Sequence, residues 1–187
     1  MILLVGRTVW EKGLFSLADA AALLLRDEAF RNLKPVFVCA GEGPERAALE
    51  RRLQRLGIES FFRLIGPQPY SQLPEIHRLA DIFVLPSIST RSVQEQFGIA
   101  LIEAMATAKP VLTTHCGAID EVIGDAGVVV QANDYFRLAE GLRMLAFDAG
   151  LRARLGQRGL ERVQRLFNRE RIGEQIANTY DHVLGQH

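Results

Sequence analysis

Six short apolar runs alternate with longer segments of helical periodicity, and this alternation constrains the fold more than any other feature of the sequence. Runs that are apolar at successive positions predict strands buried on both faces. Such strands, when helices separate them, predict a parallel sheet covered on both sides. We therefore predict an α/β fold with a Rossmann-like, doubly wound, six-stranded parallel sheet. The predicted strands are Ile2–Val5, Val36–Ala40, Phe61–Ile65, Ile82–Leu85, Val111–Thr114 and Gly127–Val130.

The segments between and after these runs have the apolar spacing of helices. No internal repeat, low-complexity linker or block of like charge divides them, so residues 1–187 are expected to form a single domain. The end of the sequence is helical in pattern throughout, which predicts C-terminal helices beyond the sheet. The predicted helices are Leu14–Phe30, Pro44–Leu56, Tyr70–Ala80, Ile99–Thr107, Asp134–Phe147, Leu151–Leu166 and Arg169–Leu184.

Composition argues against several classes of function. The 22 basic and 22 acidic residues balance, which is not typical of a protein held to nucleic acid by bulk positive charge. No apolar run reaches the roughly 20 residues of a membrane span, and no signal peptide opens the sequence, so a cytoplasmic protein is expected. Cys39 and Cys116 have no companions at metal-ligand spacing, so neither a disulfide framework nor a metal site is predicted.

Two loops that follow predicted strands contain residues suited to binding a phosphorylated ligand. In the first, Arg7 and Lys12 replace the GxGxxG glycines of a dinucleotide-binding loop. Two cations beside a helix N-terminus suit a diphosphate, although a solvated loop is an equal alternative. In the second, Gly41-Glu-Gly-Pro44 allows close approach of a flat ligand or forms a plain turn from strand to helix.

The segment EQFGIALIEAMA, residues 95–106, has one carboxylate before a predicted helix and one inside it. Gly98 marks the turn into that helix, whose free N–H groups would hold an anion. Glu103 could accept hydrogen bonds from a ribose diol, as an acidic side chain does in dinucleotide-binding folds. The two glutamates would then contact different groups of one extended ligand. The alternative is that Glu103 is a helix residue with its charge in water.

In combination, these motifs resemble the donor-binding C-terminal half of the retaining glycosyltransferases of family 4, which have the two-domain GT-B fold. The resemblance covers about residues 2–183. GRxxxxKG follows the first strand, and GxGP follows the second. In the E-x7-E motif, FG begins two residues after the first glutamate. Further matches are Ala80-Asp81-Ile-Phe-Val-Leu-Pro-Ser87, Glu103-Ala-Met-Ala-Thr-Ala-Lys-Pro-Val111 and Gly117-Ala-Ile-Asp-Glu121.

The resemblance implies a catalytic role for three residues. Arg7 and Lys12 would grip the diphosphate of a nucleotide-diphosphate sugar and stabilise the leaving group as charge develops on it. Glu95 would bind hydroxyl groups of the donor sugar. No metal or other cofactor is implied, because fixed cations and helix dipoles do that work in the family.

The resemblance also implies a set of nucleotide-binding positions. The backbone from Phe97 to Ile99, at the start of the predicted helix Ile99–Thr107, would hold the phosphate, and Glu103 would hold the ribose diol. The segment Ile65-Gly66-Pro67-Gln68 would hold the base, mostly through backbone groups. The expected positions are Gly6, Gly41, Gly66, Gln68, Phe97, Gly98, Ile99 and Glu103.

Two departures from the family pattern put the local backbone in question. Ala108 stands in Ala106-Thr-Ala-Lys-Pro-Val111 where the family often has glycine, so a methyl group replaces a hydrogen at a turn. Ala118 follows Gly117 where GGxxE is common. Neither departure removes a charged residue.

Nothing in the sequence corresponds to the family's N-terminal acceptor domain. We therefore expect an excised or separately encoded half that binds donor, transfers little alone and has the missing domain as its partner. No nucleic-acid partner is expected, and peripheral membrane association is compatible only with the full-length enzyme. One alternative is a nucleotide-sugar-binding module or subunit without turnover. Another is a nicotinamide-dependent oxidoreductase, which Arg7 and Lys12 disfavour. The donor base, the sugar and the acceptor stay open.

Overall fold

A parallel sheet lies at the centre of the structure. The computed structural model describes residues 1–90 and 94–184, and six strands in that part pair in parallel. They are β1 (Ile2–Val5), β2 (Phe37–Ala40), β3 (Phe62–Gly66), β4 (Ile82–Leu85), β5 (Val111–Thr114) and β6 (Gly127–Val130). Their order is β3-β2-β1-β4-β5-β6. The predicted Rossmann-like, six-stranded parallel sheet is confirmed.

The strand order reverses direction between β1 and β4. From β1 the chain moves outward through β2 to β3, and it then returns to the other side of β1 and continues from β4 to β6. Because parallel crossovers are right-handed, the two directions place their helices on opposite faces of the sheet. Ligands in such sheets bind outside the carboxyl ends of the strands, at this reversal. The loops after β1 and β4 are therefore placed to form a site.

Helices cover the two faces of the sheet. α1 packs against α3 and α7, whereas α5 packs against α4 and α8, within the bounds that follow. In chain order the helices are α1 (Leu14–Leu24), α2 (Glu28–Asn32), α3 (Arg46–Leu56), α4 (Leu73–Leu79), α5 (Ile99–Ala106), α6 (Ile119–Ile123), α7 (Tyr135–Phe147), α8 (Ala149–Leu166) and α9 (Arg169–Leu184). None of the helices within residues 1–90 and 94–184 combines the length and hydropathy that a membrane span requires.

Burial explains why the strands read as continuous apolar runs. All four residues of β4 and of β5 are buried, because helices cover these central strands on both faces. Edge strand β3 alternates between buried and more exposed positions. One continuous cluster of buried side chains joins the sheet to its helices. Phe37 and Phe62 stack within it across β2 and β3, with 4.8 Å between ring centroids.

The first predicted helix, Leu14–Phe30, is two helices in the structure, so that prediction is wrong. α1 ends at Leu24, and α2 begins after Asp27, which has an extended backbone. The Asp27 carboxylate accepts a hydrogen bond from the Ala29 N–H at 2.9 Å. An aspartate that caps a new helix ends the old one, since its backbone cannot be helical at the cap.

The helix predicted to begin at Pro44 begins at Arg46 instead. Pro44 lies in a turn that the loop after β1 holds in place. The Glu45 N–H donates to the Thr8 carbonyl oxygen at 3.1 Å, which ties the loops after β1 and β2 together. This long-range bond takes the place of a first helical turn. The local pattern could not encode it.

Three other helical segments differ from the predicted ones. Residues 70–72 form a 3-10 turn ahead of α4, where a single helix to Ala80 was expected. α8 begins at Ala149 rather than Leu151, because the Asp148 carboxylate caps it by accepting from the Leu151 N–H at 2.7 Å. The short helix α6 is absent from the prediction.

Helix α9 extends away from the sheet as the sequence predicts. Every residue of it is exposed. Its large apolar side chains recur at helical spacing along one side, which we call the α9 stripe. The stripe consists of Ile172, Ile176, Tyr180 and Val183.

Only one of the two departures from the glycine pattern strains the backbone. Ala108 has φ 55°, in the left-handed region that glycine occupies without a steric penalty. Ala118 has φ −85°, which any residue adopts readily. The strain at Ala108 lies at the turn between α5 and β5.

Replacing Ala108 with glycine should stabilise the protein. The substitution removes a left-handed penalty of about 1–2 kcal/mol. Glycine also gives the unfolded chain more conformational entropy, which offsets about 0.4–1 kcal/mol of that stabilisation. The free energy of unfolding, measured in urea, should therefore rise by roughly 0.5–1 kcal/mol. Ala118→Gly is the matched control and should not stabilise. Equal or lower stability for Ala108→Gly would show that the turn carries no strain.

Candidate functional site

The loops after β1 and β4 converge on one cavity of about 320 Å³. Arg7 and Lys12 come from the first loop, and Ser87 and Glu95 come from the second. The structure thus brings together the three residues expected to be catalytic, and adds a serine hydroxyl. The lining also includes Val9, Glu11, Ile88, Gln94 and Cys116. We call this cavity the switch-point cavity.

A half-buried ion pair crosses the switch-point cavity. Lys12 Nζ lies 2.5 Å from Glu95 Oε2, and the two side chains are 24% and 15% exposed. The Ser87 hydroxyl donates to the same Glu95 oxygen at 3.1 Å. Partial burial strengthens this attraction relative to a surface pair. Each charge therefore has a partner in the protein before any ligand arrives.

Arg7 differs from Lys12 in its surroundings. Its side chain is exposed at the rim of the cavity. Among the residues that the structure describes, Arg7 makes no ion pair. The loop therefore presents one cation that is already paired and one that faces solvent.

Two glycines permit the close approach of the loops that form the cavity. Gly13 has φ 69°, and a Cβ there would lie 1.8 Å from the Pro86 carbonyl oxygen. Gly117 has φ 58°, and a Cβ there would lie 2.1 Å from the Glu95 carbonyl oxygen. That Glu95 oxygen accepts a hydrogen bond from the Ala118 N–H at 3.0 Å. The backbone of Glu95 is thus held by the loop after β5.

Buried threonines of β5 hold the loop after β4 from below. The Thr113 hydroxyl donates to the Leu85 carbonyl oxygen at 2.7 Å. The Thr114 hydroxyl donates to the Ser87 carbonyl oxygen. Both threonine side chains are buried, so these bonds also satisfy their hydroxyl groups. Ser87 therefore reaches Glu95 from a fixed backbone.

The predicted glycines at the ends of the first three strands lie side by side. The Gly6 N–H donates to the Ala40 carbonyl oxygen at 2.9 Å, and the Gly41 N–H donates to the Gly66 carbonyl oxygen at 2.8 Å. The Gln68 side chain folds back on its own loop and donates to the Ile65 carbonyl oxygen at 2.8 Å. These bonds hold the starts of the three loops close together at the carboxyl edge of the sheet.

Helix α5 presents its N-terminus at the same edge of the sheet. Gly98 is its N-cap with φ 71°, and within residues 1–90 and 94–184 no side chain caps it. Uncapped first-turn N–H groups carry the positive end of the helix dipole. Phe97 and Ile99 flank the cap, and both are exposed. Phe97 also packs edge-on against Phe167, with 5.5 Å between ring centroids.

Glu103 borders a second cavity, of about 250 Å³, between α4 and α5. Its side chain is 21% exposed, so the reading of a carboxylate in open water does not fit the structure. Burial raises the pKa of Glu103, and a hydrogen bond from the Tyr70 hydroxyl acts in the opposite direction. We call this the Glu103 cavity. Its lining is Tyr70, Leu73, Pro74, His77, Arg78, Glu103, Ala106 and Thr107.

The sequence analysis assigned no role to His77, and the structure shows it buried beside Glu103. Its ring contacts Phe83 at 5.2 Å between centroids, and its Nε2 lies 3.6 Å from Glu103 Oε2. In the described part of the chain, neither ring nitrogen has a hydrogen-bond partner. Burial lowers the pKa of His77 to about 4. No short-range pattern in the sequence marks His77 as a neighbour of Glu103, because the contact joins two helices.

His115 and Cys116, which follow β5 and could in principle bind a metal, each contact a neighbouring side chain instead. His115 Nδ1 lies 2.6 Å from Asp120 Oδ1, and the Ser89 hydroxyl donates to Cys116 Sγ at 3.2 Å. The described residues contain no group of three His, Cys, Asp or Glu side chains placed to hold a metal ion.

Comparisons with known proteins agree on one family. Residues 1–162 match the family model for glycosyl transferases group 1. A D-inositol 3-phosphate glycosyltransferase of Salinispora tropica is 34% identical over 176 residues, which cover 90% of this chain and 35% of that enzyme. Against curated relatives, the chain spans 35% to 48% of their length.

Two solved structures show the same fold. The C-terminal domain of a group 1 family glycosyl transferase of Francisella tularensis is 26% identical, with a TM-score of 0.76, and the match covers 90% of this chain and 86% of that chain. HepE of Anabaena, solved in complex with UDP and glucose, is 23% identical with a TM-score of 0.82, and the match covers 97% of this chain and 48% of HepE.

Acid should destabilise the protein through His77. Its pKa is about 4 in the folded state against 6.5 for an ordinary histidine, so between these values the unfolded state binds more protons. The free energy of unfolding should therefore fall as the pH is lowered from 6.5 towards 4, by at most about 1.4 kcal/mol per pH unit from this residue.

Urea unfolding of the wild type and His77→Phe across this pH range measures the effect. Phenylalanine keeps a ring against Phe83 but cannot titrate, so its curve should be flatter. Ile76→Val, on the same helix, is the packing control and should keep the slope of the wild type. Parallel curves for all three proteins would contradict the prediction.

Proposed function

The chain belongs to the group 1 glycosyl transferases, and from this membership we propose that it is the donor-binding domain of a retaining glycosyltransferase. The full enzyme would move a hexosyl group from a nucleotide-diphosphate sugar to an acceptor. The observation that carries the proposal is the meeting of Arg7, Lys12 and Glu95 in the switch-point cavity. Retention of configuration rests on the family resemblance.

The diphosphate is proposed to bind between the loop after β1 and the N-terminus of α5. Arg7 faces solvent at the cavity rim and Lys12 is partly buried, so the two cations would contact different parts of an extended anion. First-turn N–H groups at Gly98 add partial positive charge. These fixed charges would stabilise the leaving diphosphate as its charge develops, without reorganisation during the reaction.

The donor sugar is proposed to bind at Glu95. An ionised carboxylate has about four acceptor positions, and Lys12 and Ser87 both contact one of its two oxygens. Acceptor capacity therefore remains for sugar hydroxyls. The cavity volume, about 320 Å³, lies at the lower end of the range of roughly 300–1,000 Å³ that is typical of small-molecule sites.

The nucleoside is proposed to bind at Glu103 and along the loop after β3. Glu103 is partly buried, and its carboxylate has acceptor positions for a ribose diol. The base would lie along residues 65–68, where the Gln68 side chain bonds its own loop and would leave contacts with the base mainly to backbone groups. HepE was solved with UDP and glucose, so uridine diphosphate is the first donor nucleotide to test.

The acceptor-binding domain is proposed to lie outside this chain. The chain spans 35% of the Salinispora tropica enzyme, and exposed apolar side chains border the carboxyl edge of the sheet. Trp10, Phe97 and Ile99 lie there, and the α9 stripe adds a second apolar surface. Surfaces of this kind suit a partner domain. Alone, the chain should bind the donor and transfer little sugar. We propose that it lies in the cytoplasm and that neither binding nor transfer uses a metal.

A nucleotide-sugar-binding subunit without turnover is the second candidate, and the same partial coverage favours it. Co-expression with a candidate acceptor domain separates the two. Transfer of radiolabelled sugar that appears only with both chains supports the enzyme, whereas donor binding without transfer supports the binding subunit. A thermal-shift panel of nucleoside diphosphates and their sugar conjugates would identify the donor, since saturating ligand at 100 times its Kd adds about 2.7 kcal/mol.

Loss of either cation should weaken diphosphate binding. Charge-assisted contacts contribute about 1.5–3 kcal/mol each, so Arg7→Ala and Lys12→Ala should lower nucleoside-diphosphate affinity roughly 10- to 100-fold in calorimetry. The monophosphate should be affected less. Arg51→Ala, an exposed cation on α3, is the matched control and should bind like the wild type. Unchanged diphosphate affinity in both loop variants would remove the clamp from the proposal.

Substitutions of the two glutamates should weaken the binding of different ligands. Glu103→Gln should weaken the bare diphosphate and the sugar conjugate together, because both contain ribose. Glu95→Gln should weaken the sugar conjugate alone, since Glu95 is assigned to the sugar. Isothermal titration with UDP and a UDP-sugar measures both. The assignment fails if both variants lose the bare diphosphate equally, or if neither variant loses affinity for either ligand.

A further inference from the structure

We infer that His77 is a positioning residue, whose Nε2–H holds the Glu103 carboxylate in the orientation that a ribose diol requires. This inference rests on the proposed function of Glu103. His77 itself would not contact the nucleotide. It would act through the carboxylate, which in turn contacts the sugar.

The unsatisfied nitrogens of His77 are the first observation. The side chain is fully buried, and within residues 1–90 and 94–184 neither ring nitrogen has a hydrogen-bond partner. A buried polar group without a partner is destabilising, and a packed ring alone does not require nitrogens. Phenylalanine would fill the same place beside Phe83 without that penalty.

The nearest acceptor decides what His77 can do. Glu103 Oε2 lies 3.6 Å from Nε2, just beyond hydrogen-bond distance. Both groups line the Glu103 cavity, so the carboxylate has room to turn. Burial lowers the pKa of His77 to about 4, so the ring is neutral near pH 7 and carries one N–H. An anionic neighbour favours that hydrogen on Nε2.

Tyr70 completes the arrangement from the other side. Its side chain lines the same cavity, and its hydroxyl favours the ionised carboxylate and so lowers the pKa of Glu103. Tyr70 is largely exposed, whereas His77 is fixed inside the protein by packing between α4 and the sheet. The rigid contact therefore sets the carboxylate plane, and ribose binding would close the short gap to His77. Apo sites often have such bonds long, and they tighten when ligand binds.

The test measures discrimination for the diol and not affinity alone. UDP, GDP and ADP are each titrated beside their 2′,3′-dideoxy analogues, and the ratio of the two Kd values is compared between variants. His77→Phe should reduce the ratio roughly 3- to 10-fold, the size expected of one hydrogen bond. It should leave the affinity for the dideoxy analogue unchanged. His77→Gln, which keeps an N–H donor, should restore part of the ratio.

Three further variants make the outcomes distinct. Glu103→Gln should lose the discrimination, and adding His77→Phe to it should change the ratio no further. Ile76→Val controls for loosening of α4 and should leave the ratio unchanged. His77→Leu replaces His77→Phe if the latter does not fold.

Each outcome has one meaning. If Glu103→Gln abolishes the discrimination and His77→Phe keeps it, the inference is overturned and the ribose site stands. If His77→Phe weakens both ligands of a pair equally, His77 is structural and the inference is overturned. If no diphosphate shows a diol preference, or Glu103→Gln keeps it, the proposed ribose site itself is wrong.

Discussion

The approach of two loops at the reversal of strand order is the constraint on which the rest of the site depends. Parallel strands end at one edge of the sheet, and between β1 and β4 the chain leaves in opposite directions. A crevice is the consequence of that topology, whatever the loops contain. Gly13 then allows the β1 loop to lie against Pro86, and the Lys12–Glu95 pair joins the loops by charge. Neither contact is possible without the strand order.

The Lys12–Glu95 pair also explains how such a site is stable while empty. Two half-buried charges without partners would each carry a desolvation penalty, and their mutual contact offsets it. In the proposed donor complex, phosphate takes Lys12 and sugar hydroxyls take Glu95. A ligand that has both phosphate and sugar would give Lys12 and Glu95 each a new partner. A bare phosphate would bind Lys12 and leave the Glu95 carboxylate without a cation. In that proposed complex, the pair would favour a sugar conjugate over an isolated anion.

The sequence predicted those parts of the structure that short segments encode. Strands such as Ile82–Leu85 are buried on both faces, so their apolar runs identify them without further context. Arg7 and Glu95 line one cavity because each lies in a loop that follows a strand, and the strand ends share an edge. Asp27 was predicted to lie inside a helix, but its extended backbone and its side-chain bond to the Ala29 N–H start a new helix there. The late start of α3 depends on a bond to Thr8, which is distant in sequence.

The position of His77 beside Glu103 could not be predicted from the sequence. Its distance from Glu103 is fixed by the packing of α4 against α5, and no local pattern encodes which faces of two helices meet. A histidine in a helix is usually a surface or packing residue, and only its burial without a partner separates this one from that majority. Arg7, Lys12 and Glu95 can be located from the sequence because they lie in loops that follow strands, and the topology brings those loops together. The contact between His77 and Glu103 joins two helix interiors, where position in the chain says little about contact. Side chains in loops that follow strands are therefore easier to place from sequence than side chains whose neighbours depend on how helices pack.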